Sequence, residues 1–277
     1  MTDLASERAH FVGGTPFFAS QHDQRLFYAL YVPKDHTPAA EPLPLVVIQH
    51  GTGRSAELYR DRWKEFAIER RCVILTPLFP AGLMEPGELH SFKFLEYRGL
   101  RFDEELLHIV DEVAAGFNVR PDRFYLHGFS GGGQFAHRFC YAHPDRLAGV
   151  SIGAPGRITQ LDESLPWWLG TGGFEERFGI RIDLDALRRV PVQMVVGAED
   201  TESWEIMNPG GPNWMDGVEE TGDTRVARLE TLRDNFVSQG IPVRFDVVPG
   251  VAHRGTGVVP VVQDFFGGLL ASAASAR

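Results

Sequence analysis

Two apolar patterns alternate along most of the chain. Continuous apolar runs over residues 45–49 (LVVIQ), 72–76, 123–127, 147–152, 191–196 and 243–248 read as strands, most of them buried on both faces. Residues 24–32 (QRLFYALYV) mix aromatic and branched residues and read as a further strand. Between these runs the apolar positions fall at helical spacing. Residues 60–70 carry Trp63, Phe66 and Ala67. Residues 102–117 carry Leu106, Val110, Val113 and Phe117 on one stripe, with the acids mostly off it. Residues 132–141 read as a helix stopped near Pro144. Thr224 is placed to cap a helix whose stripe is Val226, Leu229, Leu232 and Phe236, ended by Gly240. Residues 258–270 form the last helix. Such alternation predicts an α/β fold, a mostly parallel sheet with helices on both faces, and one domain over residues 1–277. The pattern loosens over 154–189 and 201–223, which read as inserts on either side of the 191–196 strand.

The strongest local motif is Gly128-Phe129-Ser130-Gly131-Gly132. It leaves a predicted strand and opens a predicted helix, the context in which a serine is held on a strained, exposed turn at a helix N-terminus. Gly149-Val150-Ser151-Ile152-Gly153 has the same spacing but lies inside an apolar strand, so Ser151 is read as structural. A serine hydroxyl needs a base. His253 is the candidate, in a glycine-flanked loop just past the strand 243–248. A base needs an orienting carboxylate. Asp200 follows the strand 191–196 and is preferred to its neighbour Glu199, because the residue after the turn points into the site. An oxyanion needs donors. The backbone N–H of Gly131 is one candidate. The second is that of Thr52, with Gly53 as alternative, in the turn His50-Gly51-Thr52-Gly53. Each motif alone has a bland reading as an ordinary glycine turn, a surface histidine or a solvated acid. Their order, Ser then Asp then His, each just beyond a strand, is what points to nucleophilic acyl transfer.

With these residues in hand, the chain resembles the α/β-hydrolase superfamily from about Leu45 to the C-terminal helix. The segments PLVVIQHGTG, RPDRFYLHGFSGGGQFAHRFCYAHPDRLAGVSIGAPG, VVGAED and VPGVAHRG are most similar to the feruloyl-esterase and polyhydroxybutyrate-depolymerase-like esterases. The resemblance implies an eight-stranded sheet and ester hydrolysis, here through an acyl-enzyme on Ser130, without a cofactor; the small cap-like inserts around the acid strand are read from the residues themselves. The same residues would serve an amidase, peptidase or carbamate hydrolase. A different class of reading is a binding module that no longer catalyses.

Composition narrows the partners. Lys and Arg number 27 against 37 Asp and Glu, a net charge of -10, so a nucleic-acid partner is not expected. Cys72 and Cys140 sit in apolar surroundings and read as small hydrophobes; no metal-ligand spacing occurs, and no metal is expected. Residues 1–8 lack a basic stretch followed by an apolar one, and no long apolar run suggests a membrane span. The expectation is a cytoplasmic protein acting on a small-molecule ester. Trp167, Trp168, Trp204 and Trp214 flank Asp200 in sequence. With Phe129 they are expected to line an apolar or aromatic substrate pocket. The alternative for the tryptophans is packing on the core or at the subunit interface of a homo-oligomer.

Overall fold

The computed structural model describes residues 11–275 apart from positions 38, 204, 205, 207 and 212. Eleven strands are numbered here in chain order. They are β1 (Gly13–Gly14), β2 (Phe18–Ala19), β3 (Phe27–Val32), β4 (Leu45–Gln49), β5 (Val73–Leu78), β6 (Glu96–Tyr97), β7 (Leu100–Arg101), β8 (Phe124–Phe129), β9 (Leu147–Gly153), β10 (Val192–Gly197) and β11 (Val243–Val248). Nine of them form one sheet in the order β1-β3-β5-β4-β8-β9-β10-β11, with β2 paired to β3. From β5 to β11 every neighbouring pair is parallel; β1, β2 and β3 are antiparallel additions at one edge. The sheet has nine strands rather than the eight the resemblance implies: the seven legible as apolar runs, and two two-residue strands, too short to carry a periodic signal, paired to β3.

The helices are α1 (Ala56–Arg62), α2 (Lys64–Arg70), α3 (Phe102–Phe117), α4 (Gly131–Ala142), α5 (Phe174–Phe178), α6 (Leu184–Arg189), α7 (Arg225–Ser238) and α8 (Gly255–Ser275). The predicted helix over 60–70 is two helices meeting at Trp63, whose indole is fully buried against Phe66 and Phe266. The stripe predicted for α3 is buried in full. The Thr224 hydroxyl accepts from Ala227 N at 3.1 Å and starts α7 as predicted. By length and mean hydropathy (1.4), α8 could span a bilayer. Its Val258, Val259, Val262, Phe266 and Leu270 are buried, and the helix lies against β9, β10 and β11, as a core helix of a sheet protein does.

Helix α4 runs unusually close to the sheet, and glycines make that approach feasible. A Cβ on Gly132 would stand 2.4 Å from Gln49 O and 2.9 Å from His50 O, at the end of β4. A Cβ on Gly128 would stand 2.1 Å from Gly132 O. Real side chains cannot occupy such positions, so the strand–helix corner is fixed by backbone contact. Gly132→Ala is expected to cost about 1–3 kcal/mol through overpacking, a Tm decrease of roughly 2–10 °C for a domain of this size, read by circular-dichroism melting. An unchanged Tm would mean that α4 can retreat from β4 without loss.

Candidate active site

Four segments that leave carboxyl ends of strands meet at one edge of the sheet, where ligands bind in open α/β folds. Strand β8 delivers Ser130, β4 the turn at residues 50–53, β10 Asp200, and β11 His253. Ser130 has φ 58° and ψ -114°, a conformation that lifts its side chain off the strand at the first turn of α4. His253 Nδ1 is 2.6 Å from Asp200 Oδ2, and His253 Nε2 is 2.9 Å from Ser130 Oγ. With the proton on Nδ1 donated to the carboxylate, Nε2 is left to accept from the serine hydroxyl. Asp200 is fully buried, and its Oδ1 faces Arg225 Nη1 at 3.4 Å, so the buried carboxylate has a cation on one side and an imidazole on the other. Glu199 is exposed, and His253 bonds to Asp200 instead.

The turn after β4 is pinned by His50. Its Nδ1–H donates to Gly51 O at 2.8 Å and its Nε2 accepts from Phe79 N at 3.0 Å. Burial pushes the His50 pKa down to about 3, which keeps the ring neutral and able to play both parts. The turn lies against the head of α4. Thr52 N is 2.9 Å from where a Cβ would stand on Gly131. Thr52 and Gly53 face the same cleft as Ser130.

That cleft has a volume of about 690 Å³. Phe129 lines it, its ring 5.0 Å from the His253 ring. The described part of the other expected wall is not there. Among the described tryptophans, Trp167, Trp168 and Trp214 do not line the cleft. Trp167 packs on Phe174 and Phe178. Trp168, Leu169 and Val218 form a separate small core with Phe94, Trp214 and Met215. Trp204 lies outside the described residues. Trp167, Trp168 and Trp214 instead hold the inserts down, partly by receiving the buried Arg138 guanidinium on the faces of Trp167 and Trp168 at 5.8 and 5.9 Å. The inserts do reach the cleft, through Gly156, Arg157, Ile206 and Asn208.

Nor is the cleft apolar. Its described lining includes Lys93, Arg157, Arg225 and Arg254 together with His90, Gln134 and Asn208, and contains no Asp or Glu. Lys93 is only 2 % exposed. Burial first, then the charges of Arg157 and Arg54, pull its pKa down to about 7. Its Nζ donates to His90 Nδ1 at 2.7 Å, and burial together with Lys93 lowers the His90 pKa to about 4, so that ring is neutral. Lys93, His90, Arg157 and Arg225 belong to no motif in the sequence. The only local signal was a lysine set between Phe92 and Phe94, an apolar setting that a solvated lysine does not need.

Ser151, the rival serine, is sealed in the sheet. Its hydroxyl donates to Gln193 Oε1 at 2.8 Å and lies 3.1 Å from His127 Nδ1. Burial lowers the His127 pKa to about 4, and the group forms a polar ladder across β8, β9 and β10.

The lowered Lys93 pKa has a consequence for stability. An unfolded chain holds that proton up to the ordinary value of 10.5, the folded chain only to about 7. Below 7 both states hold it and the fold bears the cost of a buried cation. Between the two values the unfolded state binds more protons, so this contribution to stability rises with pH. Lys93→Met is expected to raise Tm at about pH 6, with a gain that shrinks toward pH 10, measured by scanning calorimetry at matched ionic strength. A gain independent of pH would mean that packing, not charge, sets the effect.

No family model matches the chain. The candidate esterase NocK of Nocardia uniformis subsp. tsuyamanensis is 32% identical over 130 residues, 45% of this chain and 36% of that protein, so the match spans little more than a third of NocK. Among solved structures, the poly(3-hydroxybutyrate) depolymerase LpqC of Bordetella parapertussis superposes with a TM-score of 0.76 at 22% identity, covering 96% of this chain and 94% of that one. Poly(aspartic acid) hydrolase-1 of Sphingomonas sp. KT-1 superposes with a TM-score of 0.70 at 22% identity, covering 86% and 92%. These likenesses over nearly full length, with the strand order and the strand–turn–helix at Ser130, show that the chain has the α/β-hydrolase fold.

Proposed function

We propose that the protein is a serine esterase in which Ser130, His253 and Asp200 form a catalytic triad. The observation that carries this reading is the chain of contacts from Ser130 Oγ through both ring nitrogens of His253 to the buried Asp200. His253 takes the hydroxyl proton as Ser130 Oγ attacks the ester carbonyl, and Asp200 stabilises the imidazolium that results. The carbonyl oxygen gathers negative charge. The N–H groups of Gly131 and Thr52, with Gly53 next in line, are the donors for it, supported by the closeness of the Thr52 turn to the first turn of α4. The tetrahedral intermediate collapses and the alcohol leaves with the proton from His253. His253 then deprotonates a water, which attacks the acyl-enzyme; the acid departs and Ser130 recovers its proton. Arg225 Nη1 stands 3.4 Å from Asp200 Oδ1, the carboxylate oxygen that does not face His253. The names of the solved relatives, a depolymerase of a polyester among them, lend support to ester hydrolysis.

Treatment with a fluorophosphonate is expected to add one adduct to the wild type and none to Ser130→Ala, read by intact mass. Ser151→Ala should label like the wild type. Asp200→Asn is expected to lower kcat/KM for 4-nitrophenyl acetate by roughly 10³–10⁴-fold, mainly through kcat. Labelling that persists in Ser130→Ala would overturn the assignment of the nucleophile.

A further inference from the structure

The cleft beside Ser130 is basic in a chain of net charge -10. Composition does not explain this local reversal of sign, so its parts have to be accounted for one at a time. Arg225 is matched by Asp200. Lys93 and Arg157 are not matched. Among the described residues no carboxylate lies within ion-pair distance of either. Among the described residues the single hydrogen-bond partner of the Lys93 ammonium is the neutral His90 ring, which leaves donors to spare. Arg157 donates from Nε to Asn213 O at 3.2 Å, and its guanidinium lies 6.0 Å from the Trp168 ring centre. A buried cation without a counter-charge is costly and rare. The half-buried Arg157 lines the same cleft and adds to that cost, its charge joining burial in lowering the Lys93 pKa.

Two further observations fix the place. The Lys93 side chain runs past the nucleophile corner, with Cε 2.9 Å from where a Cβ would stand on Gly131. Gln134, 3 % exposed and one helical turn beyond Ser130, also lines the cleft; its carboxamide oxygen is buried with no hydrogen-bond partner among the described residues. A carboxamide can rotate to present N–H donors. Two cations and an uncommitted amide thus converge beside the nucleophile, in a cleft whose low-dielectric walls concentrate positive potential.

We propose that the cleft selects esters bearing a carboxylate a few bonds from the scissile carbonyl, held by Lys93 and Arg157 with help from Gln134. The proposal rests on the esterase reading and narrows its substrate class from neutral or aromatic esters to anionic ones. An anion in this position satisfies the spare Lys93 donors and relieves the repulsion between the two cations. Its hydrogen bonds to the two cations are charge-assisted.

The test compares matched substrates. Mono-4-nitrophenyl glutarate and 4-nitrophenyl valerate differ in charge on the acyl side. Acetoxybenzoate and its methyl ester differ in charge on the alcohol side. The readout is the ratio of kcat/KM, anionic over neutral, within each pair, because a variant that merely disturbs the fold lowers both members alike. One pair is expected to show a ratio of about 10 or more in the wild type, falling toward 1 in Lys93→Met and in Arg157→Gln, and retained in Arg157→Lys. A ratio near or below 1 in both pairs overturns the proposal, as does a ratio that neither variant changes. Stronger inhibition by inorganic phosphate than by glutarate overturns the carboxylate assignment in favour of a phosphorylated ester. Glutarate binding to Ser130→Ala, followed by calorimetry with and without Lys93→Met, separates the two readings. Lys93-dependent binding with no turnover of any ester would uphold the anion site and sink the esterase. Turnover of neutral esters with no glutarate binding would do the reverse.

Discussion

The whole site hangs on one steric fact, the absence of room for a side chain where β8 turns into α4. A methyl group on Gly128 would collide with the Gly132 backbone, and one on Gly132 with the backbone at the end of β4. This closeness forces Ser130 into a left-handed conformation and aims its hydroxyl out of the sheet edge. It also brings the first turn of α4 against the end of β4, so the Gly131 and Thr52 backbones become neighbours. Residues far apart in sequence then need only arrive at the ends of their own strands. A parallel sheet ensures that they do, because the carboxyl ends of β4, β8, β10 and β11 lie on one side.

Around this corner the electrostatics divide into two zones. Behind the histidine, Asp200 is buried but compensated, by His253 on one oxygen and Arg225 on the other. In front of the serine, the cations of Lys93 and Arg157 are not compensated by any described carboxylate. Arg138 shows how a buried guanidinium is otherwise accommodated. It is fully buried, donates to Thr159 Oγ1, Lys93 O and Gln134 O, and lies against the rings of Phe94, Trp167 and Trp168. Its burial lowers its pKa to about 9. In making those bonds Arg138 ties α4 to the Lys93 segment, and so fixes the backbone that carries the uncompensated charge.

The tryptophans illustrate why residue type alone did not reveal the pocket. Their clustering around Asp200 in sequence suggested an aromatic wall. In the fold the described ones found apolar and cationic partners of their own, in a small core that steadies the inserts. The surface they left for the cleft is polar and positive. Large aromatic rings lower the free energy most where they lose the most water, and the underside of an insert offers more burial than an open cleft does.

Sequence alone determined the parts whose signal is local. Strand runs buried on both faces, helical stripes, the Thr224 cap and the glycine-bounded serine are short-range patterns, and their order along the chain sufficed to name Ser130, Asp200 and His253. It also separated Ser130 from Ser151, because a strand–turn–helix context is itself written over a dozen residues. Tertiary structure alone decided the pairings across distance: His253 with Asp200, Arg225 behind them, and Arg157 in the same cleft as Lys93. Those contacts join residues from separate strands and loops, so no spacing in the chain encodes them. The sign of the cleft follows the same logic. Net charge is a sum over the chain, whereas local potential depends on which side chains the fold brings together after burying the rest.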